Sequence, residues 1–246
     1  MDEPELSDHA FLDGRLILRE PRRGHRSGTD AILLAAASRV RAGQHVVDVG
    51  AGAGAAALAV LRRVDEATAT LIECHPAMAA LARYNIEVNG LADRASVVEV
   101  NLFDRSACRA AFARPADVVI SNPPFYVEGT VRASPHSQKA GSHVLSRRGH
   151  EDWLRELLVL ASPKRRVVLI HRPDAIPALL MTAAGRASVR LRAVHPRMDS
   201  EAHRVLMEFV PGRRSPLVME PPLVLHRDDG RFTPFTEDLH RGRAEL

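Results

Sequence analysis

The sequence predicts an α/β fold: a doubly wound, mostly parallel seven-stranded sheet that ends in an antiparallel C-terminal edge pair. Three observations lead there. Apolar β-branched runs alternate with Ala/Leu-rich helical stretches through most of the chain. Glycines mark several of the changeovers, as in "HVVDVGAGAG" and after residues 76–89 and 175–184. The last two apolar runs, 189–195 and 204–210, are joined by a short polar stretch with no evident crossover helix, as an antiparallel pair allows.

The elements follow in order. Gly14-Arg15-Leu16-Ile17-Leu18 reads as a short strand beside a turn at Asp13-Gly14. Ser27-Gly28-Thr29-Asp30 precedes an alanine-rich run, 31–40, that reads as a helix with a capping-type start. The first central strand enters the glycine loop and is followed by helix 55–63. Strand 70–74, helix 76–89, strands 96–100 and 117–120, helix 152–161, strand 166–170 and helix 175–184 complete the alternation. No repeat or low-complexity linker divides the 246 residues, so one domain is expected. Within it, 1–26 is a strand or hairpin extension, 27–212 the catalytic core and 213–246 a C-terminal extension.

Composition narrows the function classes. No apolar run is long enough to span a bilayer, and the start, Met1-Asp2-Glu3-Pro4-Glu5, is acidic rather than leader-like. Cys74 and Cys108 form neither a disulfide framework nor a metal spacing, and the 12 histidines show no ligand pattern. A cytoplasmic protein without a metal is expected. The net charge of +4 suits an anionic partner such as nucleic acid. Yet Lys139 and Lys164 are the only lysines, so the arginine excess is equally what a GC-rich coding bias gives.

Ligands of such sheets bind at the carboxyl ends of the strands, and several chemically telling residues fall there. Gly50, Gly52 and Gly54 form a G-x-G-x-G loop with Asp48 two residues ahead of it. Glycine allows a tight turn and a close ligand approach. A carboxylate beside the loop repels phosphate and suits a ligand with an ammonium group, such as S-adenosylmethionine (SAM). Glu73, at the end of the next strand, is placed to accept both ribose hydroxyls. Asn101 and Asp104, after the third strand, are either acceptors for an adenine amine or turn formers.

The fourth strand ends in "SNPPFY", where two prolines stop strand pairing and fix an amide and two aromatics. An amine conjugated to a ring or carbonyl is a poor nucleophile. Two acceptors on its hydrogens, the Asn122 side-chain oxygen and the main-chain oxygen of Pro123, would aim its lone pair at a methyl sulfonium. Phe125 would stack on the planar substrate.

Together "VVDVGAGAG", "IECHPAMAALARYNIEVNGL" and "SNPPF" resemble class I SAM-dependent methyltransferases of the N-P-P-[FY] type, which have a Rossmann-like fold and modify planar nitrogens. The upstream "GHRSGTDAILLAAA" and the terminal "LVLHRDDGRFTPFTEDL" are similar to the family of bacterial tRNA1(Val) (adenine-N6)-methyltransferases. The resemblance implies that Gly50, Gly52 and Gly54 pass the methionine part of SAM, that Glu73 holds its ribose, and that Asn122, Pro123 and Phe125 hold the target amine. It also places Thr29 and Asp30 near the methionine end, where a helix cap explains them as well. One departure stands out: the family commonly has Asp where this chain has Asn101. Segment 128–151, with Arg132, Lys139, Arg147 and Arg148, is positioned as a lid or substrate loop, or is a solvated loop.

The implied reaction is N6-methylation of adenine in tRNA. Guanine-N2, DNA-adenine and protein-glutamine methylation are rivals at the same motif, and O-methylation lacks an evident base. An NAD-dependent oxidoreductase and a SAM-binding module without catalysis are the readings from other classes.

Overall fold

Side chains along the central strands alternate between two separate cores, one on each face of the sheet. A computed structural model describes residues 5–22, 27–110, 115–123 and 149–246. Val46, Val118, Ile120, Val168 and Ile170 join one core, while Val47, Val49, Val119, Val167 and Leu169 join the other. Strands covered on both sides are apolar throughout, and each buried Val or Leu contributes roughly 1.5–3 kcal/mol. β3 (His45–Val49) and β6 (Val118–Ser121) are accordingly buried at every residue.

The main sheet also contains β4 (Thr68–Glu73), β5 (Ala95–Glu99), β7 (Arg166–His171), β8 (Ala187–His195) and β9 (Arg204–Pro211). Two short strands, β10 (Val218–Met219) and β11 (Leu223–Val224), bring it to nine. Its order is β10-β8-β9-β7-β6-β3-β4-β5, with β11 also on β8. β9 runs antiparallel between β7 and β8, and the other pairings are parallel. The expected antiparallel pair is therefore present, but the sheet has nine strands rather than seven. The added strands lie in a Pro-interrupted segment, Pro216 to Pro222, too short to show a period-two pattern, and they cover β8.

α1 (Thr29–Ala37), α2 (Ala55–Arg63) and α3 (Pro76–Val88) supply the first core. α5 (His150–Leu160) and α6 (Ile176–Ala183) supply the second. Two helices had no clear sequence signal: α4 (Arg105–Ala110) and the C-terminal α7 (Pro234–His240). Thr233 caps α7 by accepting from the Thr236 amide at 3.2 Å, and Leu239 is fully buried. The 213–246 segment thus contributes to the main sheet and core. Among the described residues no helix is long and apolar enough to cross a membrane.

The N-terminal hairpin, β1 (Leu6–Phe11) with β2 (Leu16–Pro21), forms its own two-stranded sheet. The buried amides of Asn85 on α3 and of Asn89, its C-cap, each accept from and donate to the backbone of β2, at Arg19 and Ile17 respectively. One helical turn matches two strand residues in length, so two side chains act as a surrogate strand.

The capping-type start of α1 is a correction. Gly28 is its N-cap, with no side-chain cap bond. The Ser27 hydroxyl instead donates to the buried Glu20 carboxylate at 2.6 Å. A buried carboxylate without donors is costly, so it draws in the nearest hydroxyl and amide.

Candidate active site

The glycine loop is closed over β4 by its own backbone. The Gly50 and Ala51 amides both donate to the Ile72 carbonyl, at 2.9 and 3.0 Å. The loop glycines divide by what replaces the missing Cβ. At Gly54 a Cβ would sit 2.8 Å from Leu71, and at Gly50 it would sit 3.1 Å from the Trp153 ring. Protein packing therefore explains both. At Gly52 the nearest atom is the Met78 methyl at 3.7 Å, so this is the loop glycine with ordinary room beside it.

Glu73 is buried, and each carboxylate oxygen accepts one backbone N–H: Gly52 on Oε2 and His75 on Oε1, both at 2.8 Å. These bonds lock the carboxylate at the mouth of the loop. Asp48 is only 2% exposed and accepts the Ala57 amide at 3.1 Å. Burial pushes its pKa up to about 7; the Ala57 bond opposes this and the Glu73 charge adds to it. Two buried carboxylates at neighbouring strand ends beside the glycine loop repel phosphate and favour a ligand that brings hydroxyls and positive charge. That donor set fits SAM.

β6 delivers Asn122 to the same mouth, because Val49 pairs with Ser121 and the next residues are Gly50 and Asn122. Asn122 Oδ1 is buried and has no hydrogen-bond partner among the described residues. A buried amide oxygen left open costs about 1–3 kcal/mol. It is an acceptor in want of a donor. Pro123 lies beside it and is buried, whereas Phe125 and the 128–148 part of the expected lid, with Arg132, Lys139, Arg147 and Arg148, lie outside the described residues.

The remaining site candidates have internal work. Asn101 Oδ1 accepts the Phe103 amide at 3.0 Å, which makes it a turn former, and Asp104 is exposed and caps α4 by accepting from Ala107 at 3.0 Å. The Thr29 hydroxyl meets His240 Nε2 at 3.3 Å, and Asp30 accepts from Arg204 Nε at 2.8 Å. Neither Thr29 nor Asp30 caps α1; they tie its start to α7 and β9.

Two features escaped the sequence reading. Trp153 Nε1–H donates to the Ser121 hydroxyl at 3.0 Å, and that hydroxyl donates to the Val49 carbonyl at 2.8 Å. With its ring against Gly50 and its edge to Phe103, Trp153 couples the glycine loop to the strand that carries Asn122. A lone tryptophan in an amphipathic helix carries no such signal. His171, at the end of β7, is also buried: its Nδ1 accepts the Arg172 amide, and its Nε2 lies 3.1 Å from His150 Nδ1. Burial, reinforced by His150, lowers its pKa to about 4, so it stays neutral at physiological pH.

Comparison with known proteins follows the same lines. The family model for the methyltransferase small domain matches residues 26–149. A Porphyromonas gingivalis protein described as a tRNA1(Val) (adenine(37)-N6)-methyltransferase is 32% identical over 225 residues, covering 85% of this chain and 84% of that one. An Aeromonas hydrophila protein with the same description is 29% identical, with 84% of each chain covered. A crystal structure from Agrobacterium tumefaciens, described as a predicted O-methyltransferase, superimposes with a TM-score of 0.73 at 29% identity, covering 88% of this chain and 98% of that one.

Proposed function

The chain belongs to the methyltransferase small-domain family and is a SAM-dependent methyltransferase, and from that premise we propose that it methylates N6 of an adenine in tRNA. The observation that carries this reading is the buried, unpartnered Asn122 oxygen at the end of β6. The description shared by the Porphyromonas and Aeromonas relatives supports the choice of substrate.

Bound SAM supplies an electrophilic methyl group on a sulfonium. Asn122 Oδ1 accepts one hydrogen of the target amine and the Pro123 main-chain oxygen the other, which turns the nitrogen lone pair toward the donor and stabilises the charge that develops there. No strong base is required in this step. Phe125 stacks on the adenine ring. The lone pairs of Glu73 left over from its two backbone bonds accept the ribose hydroxyls. Asp48, ionised, balances the positive charge of the ligand. Asn101 keeps a spare lone pair for the adenine amine of SAM, and Asp104 shares that contact if the α4 cap opens. Thr29 and Asp30 act by holding the start of α1. The enzyme works in the cytoplasm, where tRNA is modified.

The experiment is incubation with labelled SAM and unmodified total tRNA, followed by nucleoside analysis. Label in N6-methyladenosine supports the reading. Its absence, with label in guanine-N2, DNA adenine, protein glutamine or a small phenol in a parallel panel, replaces it.

A further inference from the structure

We propose that the end of the sheet opposite the methyl-transfer mouth carries an anion site, a cleft that binds phosphate. It does not rest on the reading of the methyl acceptor. Register places it: Val118 pairs with Arg166, four residues before Asn122. At about 3.3 Å per residue this level lies roughly 13 Å from the catalytic amide along the strand. Arg39 and Arg41 precede β3 on this side, and antiparallel β9 returns its last residues, Val210 and Pro211, to the same level, beside Ser188 of β8.

The cleft has a volume of about 410 Å³, and its lining includes Arg39, Arg41, Arg166, Arg190 and Arg213 with a single carboxylate, Glu208.

Two of the five guanidiniums are satisfied from outside the lining: Arg41 by Glu245 at 2.7 Å and Arg190 by Glu220 at 2.7 Å. Arg39 and Arg166 share Glu208, at 2.8 and 3.8 Å, and Arg213 has no ion pair among the described residues. Three cations thus face one carboxylate, an excess of two positive charges that matches a phosphate. Arg39 Nε is buried without a partner. Burial lowers the Arg166 pKa, and the charges of Arg39 and Arg41 lower it further while Glu208 opposes them. The cations are crowded and short of an anion. Guanidinium forks match the oxygen geometry of phosphate, and the Ser188 and Ser215 hydroxyls in the lining add neutral donors.

The ligand is either a free phosphate or a phosphodiester of an RNA backbone, and one set of measurements separates them. Inorganic phosphate is titrated against the full chain at constant ionic strength, with chloride as the control, and the melting temperature is followed. A saturable rise is expected in the wild type. Arg213→Glu, at an exposed position without an ion pair among the described residues, and Arg39→Gln, which removes another of the three cations facing Glu208, are expected to lose phosphate affinity at least tenfold while SAM still binds. SAM binding in each variant reports that it has folded. A rise that does not saturate, or one equal in wild type and both variants, overturns the proposal.

In the second arm, tRNA affinity is measured against salt. A slope of log affinity on log salt shallower by about one in Arg213→Glu assigns the cleft to the RNA backbone. An unchanged slope alongside lost phosphate affinity assigns it to free phosphate.

Discussion

The two ends of one sheet carry opposite chemistry. At the carboxyl end, Asp48 and Glu73 are buried and held by backbone amides of the glycine loop and of helix starts: Gly52, Ala57 and His75. At the amino end, arginines gather where helices finish, with Arg62 and Arg63 in the last turn of α2 and Arg39 just beyond α1. Parallel winding produces this polarity, since each helix after a strand starts at the carboxyl end and finishes at the amino end. Helix starts favour negative groups and helix ends favour positive ones, by about 0.3–1 kcal/mol each. The difference teaches that charge sign alone does not locate the catalytic mouth of a basic protein. The end proposed to bind the cofactor is acidic although the chain as a whole is cationic.

Substitutions at the acidic end test this comparison. Asn122→Ala is expected to lower turnover by about two or more orders of magnitude with near-normal SAM binding; steady-state kinetics beside calorimetry checks it, and unchanged turnover removes Asn122 from the mechanism. Glu73→Gln cannot accept the Gly52 and His75 amides equally well and is expected to weaken SAM by about tenfold or more, or roughly 1.5–3 kcal/mol. Calorimetric affinities within twofold of wild type would contradict that role.

Asp48 gives a prediction with a defined sign. Its folded pKa, about 7, lies above the ordinary aspartate value of 3.8. Between these values the unfolded chain releases a proton that the folded chain keeps, so this group's contribution to stability falls as pH rises from about 4 to about 7 and is level above. Asp48→Asn removes the effect, so the variant gains melting temperature relative to wild type across that window. Wild-type SAM affinity should weaken below pH 7, where Asp48 holds its proton, and Asp48→Asn should flatten that dependence. Equal melting curves for the two proteins at pH 4 and pH 8 would refute the shift.

Trp153→Phe removes the bond to Ser121 together with the outer-ring atoms that lie against Gly50, while keeping an aromatic ring in the core. The expected loss is about 1 kcal/mol, or roughly fivefold, in kcat with SAM affinity retained. Equal losses in kcat and SAM affinity would mean that the residue supports the loop alone. The smallest effect belongs to the other end of the sheet: Arg213→Glu should change SAM affinity less than twofold.

Much of this architecture was legible because it is local. Strand and helix periods, the glycine loop and the Asn-Pro-Pro stop can be read from neighbouring residues, and the central strands lie within one or two residues of the expected bounds. Short elements were not legible. β10 and β11 have two residues each, and α4 and α7 are one to two turns long, so no period could emerge. Side-chain roles were split as well. Glu73 and Asn122 stand at strand ends where position implies use. Asn101 and Asp104 took up turn and cap bonds available within three residues, and Thr29 and Asp30 found partners 211 and 174 residues away.

The amino-acid sequence by itself determined the α/β class, the order of the main strands and the convergence of the glycine loop, Glu73 and Asn122 on one end of the sheet. Those follow from local periodicity and from the rule that parallel strands point their carboxyl ends together. Tertiary structure alone decided the Trp153–Ser121 link, the Asn85 and Asn89 hold on the hairpin, the elevated pKa of Asp48 and the arginine cleft. Each of these depends on burial and on contacts between residues far apart in the chain, which only packing creates.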